Sequence, residues 1–250
     1  MKLIIENWRK FLSEEKEKTL RTAAIIWNNP SYKPYDEFKK DAGILKYILP
    51  EQVSQGHAGI LLLREKKSGT VIIECFEFGV DNTRCKDANQ KKIPLIDKLK
   101  KKFGLFVYGG VRYKRFPITY KEKANFFDAE DKSERIINIL KSGRADQGNI
   151  KSRDAKQFGY IPNVNIESSK NYASSPSCRL YTVKPHLGTS LGDNCGSYVL
   201  KVAAAGLENS QMPGGKMRTA GEISENILGP DDVIPKLQEL GWATIVQSFQ

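Results

Sequence analysis

The sequence predicts an α+β fold in which an antiparallel sheet packs on a helix that carries a cysteine. Three observations predict it. Two apolar stretches, 58–63 and 70–78, are rich in branched or aromatic residues and flank the polar run Arg64-Glu65-Lys66-Lys67-Ser68-Gly69, which is a hairpin signal. A later stretch, 193–205, reads as a helix whose stop is Gly206. Strands and helices are unevenly segregated instead of alternating, which argues against repeated βαβ units.

Taken in order, residues 1–18 read as a short amphipathic helix. Ile4, Trp8, Phe11 and Leu12 recur at helical spacing, while Glu6, Arg9, Lys10 and Glu14 fill the other face. The charged run Glu14-Glu15-Lys16-Glu17-Lys18 separates it from a helical lead-in over 19–54. There the apolar segment 23–27 ends at Asn28-Asn29-Pro30, and Pro34 and Pro50 bracket a helical stretch at 35–49. Residues 55–250 form the main domain. Beyond the hairpin, 105–107 and 111–116 read as strand around Gly109-Gly110, and a polar helix at 132–141 is closed by Gly143. The Ser, Asn, Asp and Gly content of 144–176 predicts a loop across the surface. A short strand at 179–183, a helix at 231–240 after the Pro213-Gly214-Gly215 loop, and a strand at 242–246 complete the chain.

Composition narrows the class. With 250 residues, 40% hydrophobic and 10% aromatic, the chain is too apolar for disorder and long enough to bury a core without metals or disulfides. No apolar run approaches the roughly 18 residues of a membrane span, and Glu6 breaks the N-terminal apolar run that a signal peptide needs. The expectation is a cytoplasmic, reducing location with no membrane partner. The formal net charge is +11, and it is unevenly placed: residues 64–123 hold 16 Lys and Arg against 7 Asp and Glu. Lys100, Lys101 and Lys102 read either as a solvated face or as a candidate site for phosphates or another anionic polymer. Arg112, Lys114 and Arg115 alternate with Tyr113 and Phe116, which suits stacked bases or an ordinary edge strand.

The scarce residues carry the chemistry. Four cysteines, at 75, 85, 178 and 195, and two histidines, at 57 and 186, lack zinc-site spacing, and no cofactor is implied. Cys195 stands in Asp193-Asn194-Cys195-Gly196-Ser197, where a loop runs into a helix. Backbone N–H groups and the dipole at a helix start favour thiolate over thiol, and the same N–H groups near Asn194 and Gly196 can hold an oxyanion. His57, in Gly56-His57-Ala58-Gly59-Ile60 at the mouth of the first hairpin strand, is the candidate base, and His186 in Lys184-Pro185-His186-Leu187-Gly188 is the alternative. A hairpin centred on residues 66 and 67 would set Leu63 against Thr70 or Val71, and His57 against Phe76 or Glu77. Glu77 is a carboxylate in an otherwise apolar strand and is the candidate to orient the imidazole, whereas Glu74 points to the opposite face. Each residue alone also fits a structural role: a small buried cysteine, or a satisfied histidine at a strand end.

Gly56-His57-Ala58-Gly59-Ile60, the hairpin ending in Phe76-Glu77-Phe78-Gly79, and the distant Asn194-Cys195-Gly196-Ser197-Tyr198 resemble the circularly permuted papain-like fold, including the desumoylating-isopeptidase-like (PPPDE) peptidases. In that group the histidine strand precedes the cysteine helix. The resemblance covers residues 55–206 and implies Cys195 as nucleophile, His57 as base, Glu77 as orienting acid, and a peptide, isopeptide or other amide as substrate. The long spacing from His57 to Cys195 leaves the substrate class open. A second resemblance concerns Glu6-Asn7-Trp8-Arg9-Lys10-Phe11-Leu12-Ser13-Glu14, which looks like the capsid-targeting peptides of internal head proteins in T-even-like phages. It implies processing at Leu12-Ser13-Glu14, although Glu15 departs from the small residue usual after the cut, and packaging in the virion with DNA followed by entry into the host. An N-terminal helix docked on the domain is the plain alternative.

These features predict a cysteine-dependent hydrolase of amide or isopeptide bonds. The rival is a non-catalytic basic virion or DNA-associated protein on the same scaffold. Hydrolysis of cell wall, where a basic surface suits anionic polymer, is a third reading.

Overall fold

The computed structural model describes residues 21–30, 56–80, 85, 107–120, 125–147, 151–175, 177–181, 193–207 and 229–249. The expected helices at 1–18 and 35–49, the Leu12–Glu14 processing site, Lys100, Lys101, Lys102 and His186 lie outside them. Seven strands form one antiparallel sheet: β1 (Thr22–Asn29), β2 (His57–Glu65), β3 (Thr70–Val80), β4 (Val107–Thr119), β5 (Gln157–Pro162), β6 (Cys178–Tyr181) and β7 (Ile245–Ser248). Their order across the sheet is β6-β4-β3-β2-β1-β5-β7. Among the described residues four α-helices accompany them: α1 (Lys132–Lys141), α2 (Ile166–Ser174), α3 (Cys195–Leu207) and α4 (Val233–Glu239). The α+β class, the antiparallel sheet and the helix starting at Cys195 are those read from the sequence.

The sheet is buried on both faces. Ala24, Ile26, Ala58, Ile60, Leu62, Phe76 and Phe78 meet α2, α3 and α4 on one side. Ala23, Ile25, Trp27, Leu61, Leu63, Ile73 and Cys75 meet α1 and Phe126 on the other. This explains two departures from the sequence reading. The segment 23–27 belongs to no helical lead-in; it is β1, in the middle of the sheet, where a strand covered on both sides shows no polar alternation to mark it. Residues 144–176 are no surface loop, because they include β5, paired to β1, and α2, capped where the Asn165 side chain accepts a hydrogen bond from Ser168 N. The apolar residues of this stretch are few, and what orders them is a partner far away in sequence.

Two smaller corrections bear on the site. The hairpin turns through Lys67-Ser68-Gly69, with Gly69 at φ 77° and its N–H donating to Lys66 O, so the register is Leu63 opposite Ile73 and Gly59 opposite Glu77. Gly206 lies inside the last turn of α3 and does not stop the helix. A Cβ there would fall within the envelopes of Val164 Cγ1 and Ser169 Oγ, and Ser169 Oγ donates to Val202 O at 2.9 Å where α2 crosses α3. Gly206→Ala is therefore expected to destabilise the protein by about 1–3 kcal/mol in urea titration, through overpacking.

β4 runs unbroken through Gly109-Gly110, and β6 covers it only from Val107 to Gly110. Beyond that point no described strand pairs with its outer side, and Arg112, Lys114, Arg115 and Pro117 occupy it as residues that discourage edge-to-edge pairing. At the covered end a disulfide joins Cys85 to Cys178. Such bonds persist in oxidising surroundings, whereas cysteine usage alone read as a reducing location. No helix among the described residues is long and apolar enough to cross a membrane.

Candidate active site

The candidate nucleophile is placed by the capping of α3. Cys195 is the first residue of the helix, and Asn194 before it accepts a hydrogen bond from Ser197 N at 2.8 Å while its own N–H donates to Ser197 Oγ at 3.0 Å. This reciprocal cap uses the Asn194 side-chain oxygen for structure. Tyr198 N donates to Asn194 O, so Cys195 and Gly196 supply the N–H groups that have no carbonyl one turn back. The sulfur sits beside them, and Cys195 is buried.

A charged clamp holds this helix start. Asp193 Oδ1 accepts from Lys201 Nζ at 2.6 Å and from Ser197 Oγ at 3.3 Å, and Asp193 Oδ2 lies 3.7 Å from Arg179 Nη1. Arg179 is buried, lies over the rings of Tyr172 and Tyr198, and donates to Ser175 O at 2.8 Å. It follows Cys178 directly, so the disulfide, the edge strand and the helix that begins at Cys195 are tied through one guanidinium. The sequence reading missed this clamp: Arg179 and Asp193 are 14 positions apart in an unremarkable polar stretch.

His57 opens β2, and the register sets its side chain on the same face as Glu77, diagonal to it across the hairpin. Glu77 Oε2 is 3.6 Å from His57 Nε2, too long for a hydrogen bond but within ion-pair range. α3 packs on the other face, yet the Cys195 side chain is near enough to His57, at the very end of its strand, to help raise the pKa of the ring. The structure thus brings together the three residues singled out from sequence, Cys195, His57 and Glu77, from three separate elements. Glu74 does point to the opposite face, where Arg64 at 2.7 Å, Lys170 at 3.3 Å and the Tyr113 hydroxyl at 2.7 Å hold it.

Burial and partners set the charges here. Burial works to lower the His57 pKa, but the proximity and charge of the Cys195 and Glu77 side chains outweigh it and raise it to about 9. Glu77 is 1% exposed; burial raises its pKa, only partly offset by His57 and by the charge of Arg112, which is opposite it on β4. Cys75, two residues from Glu77 on the same face, is pushed well up by burial and then by the Glu77 charge, which keeps it a thiol.

The basic candidates are split. Arg112 and Lys114 share the Glu77 face, where Arg112 Nη1 donates to Gln147 O at 3.4 Å and Lys114 Nζ to Asp146 O at 3.3 Å, while Arg115 stands on the other face opposite Glu74. They form no single anion-facing cluster. With the site laid out in this way, the chain was compared with known proteins: no family model matches it, and neither a curated protein nor a solved structure matches it.

Proposed function

We propose that the chain is a cysteine-dependent hydrolase acting on an amide or isopeptide bond, with the permuted papain-like order of histidine strand before cysteine helix. The observation that carries this reading is the convergence of Cys195, His57 and Glu77 at one end of the sheet. The Cys195 thiolate attacks the carbonyl carbon, and the oxyanion is held by the N–H groups of Cys195 and Gly196. Collapse breaks the C–N bond as the His57 imidazolium gives its proton to the leaving amine. Water, deprotonated by neutral His57, then attacks the thioester and releases the acid and the thiolate, restoring the imidazolium. Glu77 keeps the ring oriented and favours its charged form.

Selective alkylation tests the reading. Cys85 and Cys178 are joined, so Cys75 and Cys195 are the thiols that compete under non-reducing conditions. Iodoacetamide at pH 7, followed by peptide mass spectrometry, is expected to modify Cys195 at least about tenfold faster than Cys75. Equal rates, or Cys75 reacting first, would remove the proposed nucleophile.

A further inference from the structure

Three buried polar atoms lie on the Glu77 face without a hydrogen bond: Trp27 Nε1, and the ion-paired His57 Nε2 and Glu77 Oε2, which are 3.6 Å apart. Buried polar atoms are nearly always hydrogen-bonded, so the indole N–H beside a loosely paired carboxylate requires an explanation. They belong to one place. Trp27 is opposite Gly59 and Gly59 is opposite Glu77, so the three residues form a row across β1, β2 and β3 on one face. The middle residue has no side chain, and the indole lies over it: a Cβ on Gly59 would be 2.7 Å from Cε2 and Cζ2 and 2.8 Å from Nε1. The nitrogen edge of the indole therefore sits above Gly59, one strand spacing of about 4.8 Å from the backbone of Glu77. The His57 ring meets the same indole edge-on, with centroids 5.7 Å apart and planes at 62°.

We propose that Trp27 is a positioning residue of the site, its indole N–H donating through one shared water to Glu77 Oε2 and thereby holding the carboxylate against His57 Nε2. The chemistry fits. The indole is a donor only, the carboxylate accepts, and a buried water commonly makes about three hydrogen bonds, which matches the three atoms. A donor at Glu77 stabilises its ionised form, which burial alone opposes. The other groups facing Glu77 are His57 on β2, Arg112 on β4, Asp146 in the turn after α1, Cys75 on its own strand, and Cys195 beyond the His57 ring. None of them accounts for the Trp27 N–H. The sequence shows only a tryptophan in an apolar run and a glycine after a histidine; the row that joins them exists in the sheet alone.

The inference rests on the His57–Glu77 half of the proposed site, and its test does not depend on Cys195 reacting. The full chain is labelled with 15N, the indole resonance of Trp27 is assigned by its loss in Trp27→Phe, and it is followed from pH 4 to pH 10 together with the His57 ring. The wild-type indole signal is expected to titrate with Glu77 as well as with the His57 ring against it, and in Glu77→Gln to keep only the step it takes from His57. The apparent His57 pKa is expected to fall in Trp27→Phe and to fall further in Glu77→Gln, and Trp27→Phe is expected to add nothing in the double variant, because Trp27 acts through the carboxylate. An indole signal flat with pH in the wild-type protein overturns the proposal without any variant having to fold. So does additivity of the two changes, which would mean that Trp27 only packs. If the coupling is present but Cys195 fails the alkylation test, the hydrolase reading falls and the Trp27–Glu77 link stands.

Discussion

His57→Ala is expected to slow alkylation of Cys195 at pH 7 by about 30-fold. The thiolate is the form that is alkylated, and a neighbouring imidazole that activates a thiol commonly accounts for an effect of about this size. Turnover of an amide substrate should fall further, by about 10²- to 10⁴-fold, because the variant also lacks the acid that protonates the leaving amine. The two assays should differ at high pH. Hydrolysis declines as pH rises through about 9, where His57 loses its proton, while alkylation of the thiolate does not. Unchanged alkylation in His57→Ala would show that the imidazole has no part in activating Cys195.

Stability should follow the same group. The folded-state value of His57 lies above its ordinary 6.5, so its contribution is present in full below pH 6.5 and is lost as pH rises through about 9. The loss is of order 2–3 kcal/mol, since each tenfold gain in proton affinity on folding is worth about 1.4 kcal/mol and the titration is coupled to that of Glu77. Urea titrations between pH 6 and 10 should show this decline in the wild type and a flatter profile in His57→Ala. A profile equally steep in both would assign the decline to other groups.

Asp193→Ala is the second large effect. It removes the carboxylate shared by Lys201 and Arg179, both nearly buried, together with an acceptor for Ser197 Oγ. Removing one partner from a buried ion pair leaves the other charge uncompensated, and the expected cost is about 3–5 kcal/mol, toward the lower end because Arg179 keeps its contacts to Ser175 O and two aromatic rings. The same change should slow Cys195 alkylation by loosening the start of α3, whereas Glu74→Gln, on a separate ion-pair network, should leave the alkylation rate unaltered. Equal stability of Asp193→Ala and the wild type would mean that the clamp holds nothing.

The site was legible because its residues are rare and their settings local. With two histidines and four cysteines in 250 residues, few pairings were open, and a glycine-flanked cysteine opening a helix is recognisable from a few letters. Of the two registers the sequence left open, the one setting His57 against Glu77 was off by two residues, which keeps a side chain on its face, and the one setting it against Phe76 was off by three, which does not. The Arg179–Asp193–Lys201 clamp, the Trp27–Gly59–Glu77 row and the Cys85–Cys178 bond were not legible, since each joins residues that no periodicity relates.

The sequence by itself determined the α+β class, the β2–β3 hairpin, the helix that begins at Cys195 and the three candidate residues of the site. These depend on local propensity, capping and alternation, which act within a few positions along the chain. The tertiary structure decided that 23–27 is a central strand, that β5 and α2 fill what composition reads as loop, and that His57 at a strand end reaches both Glu77 on one face of the sheet and Cys195 on the other. Those outcomes depend on which strands become neighbours. That choice is made by burying both faces of the sheet at once, a condition on the whole chain that no single segment carries.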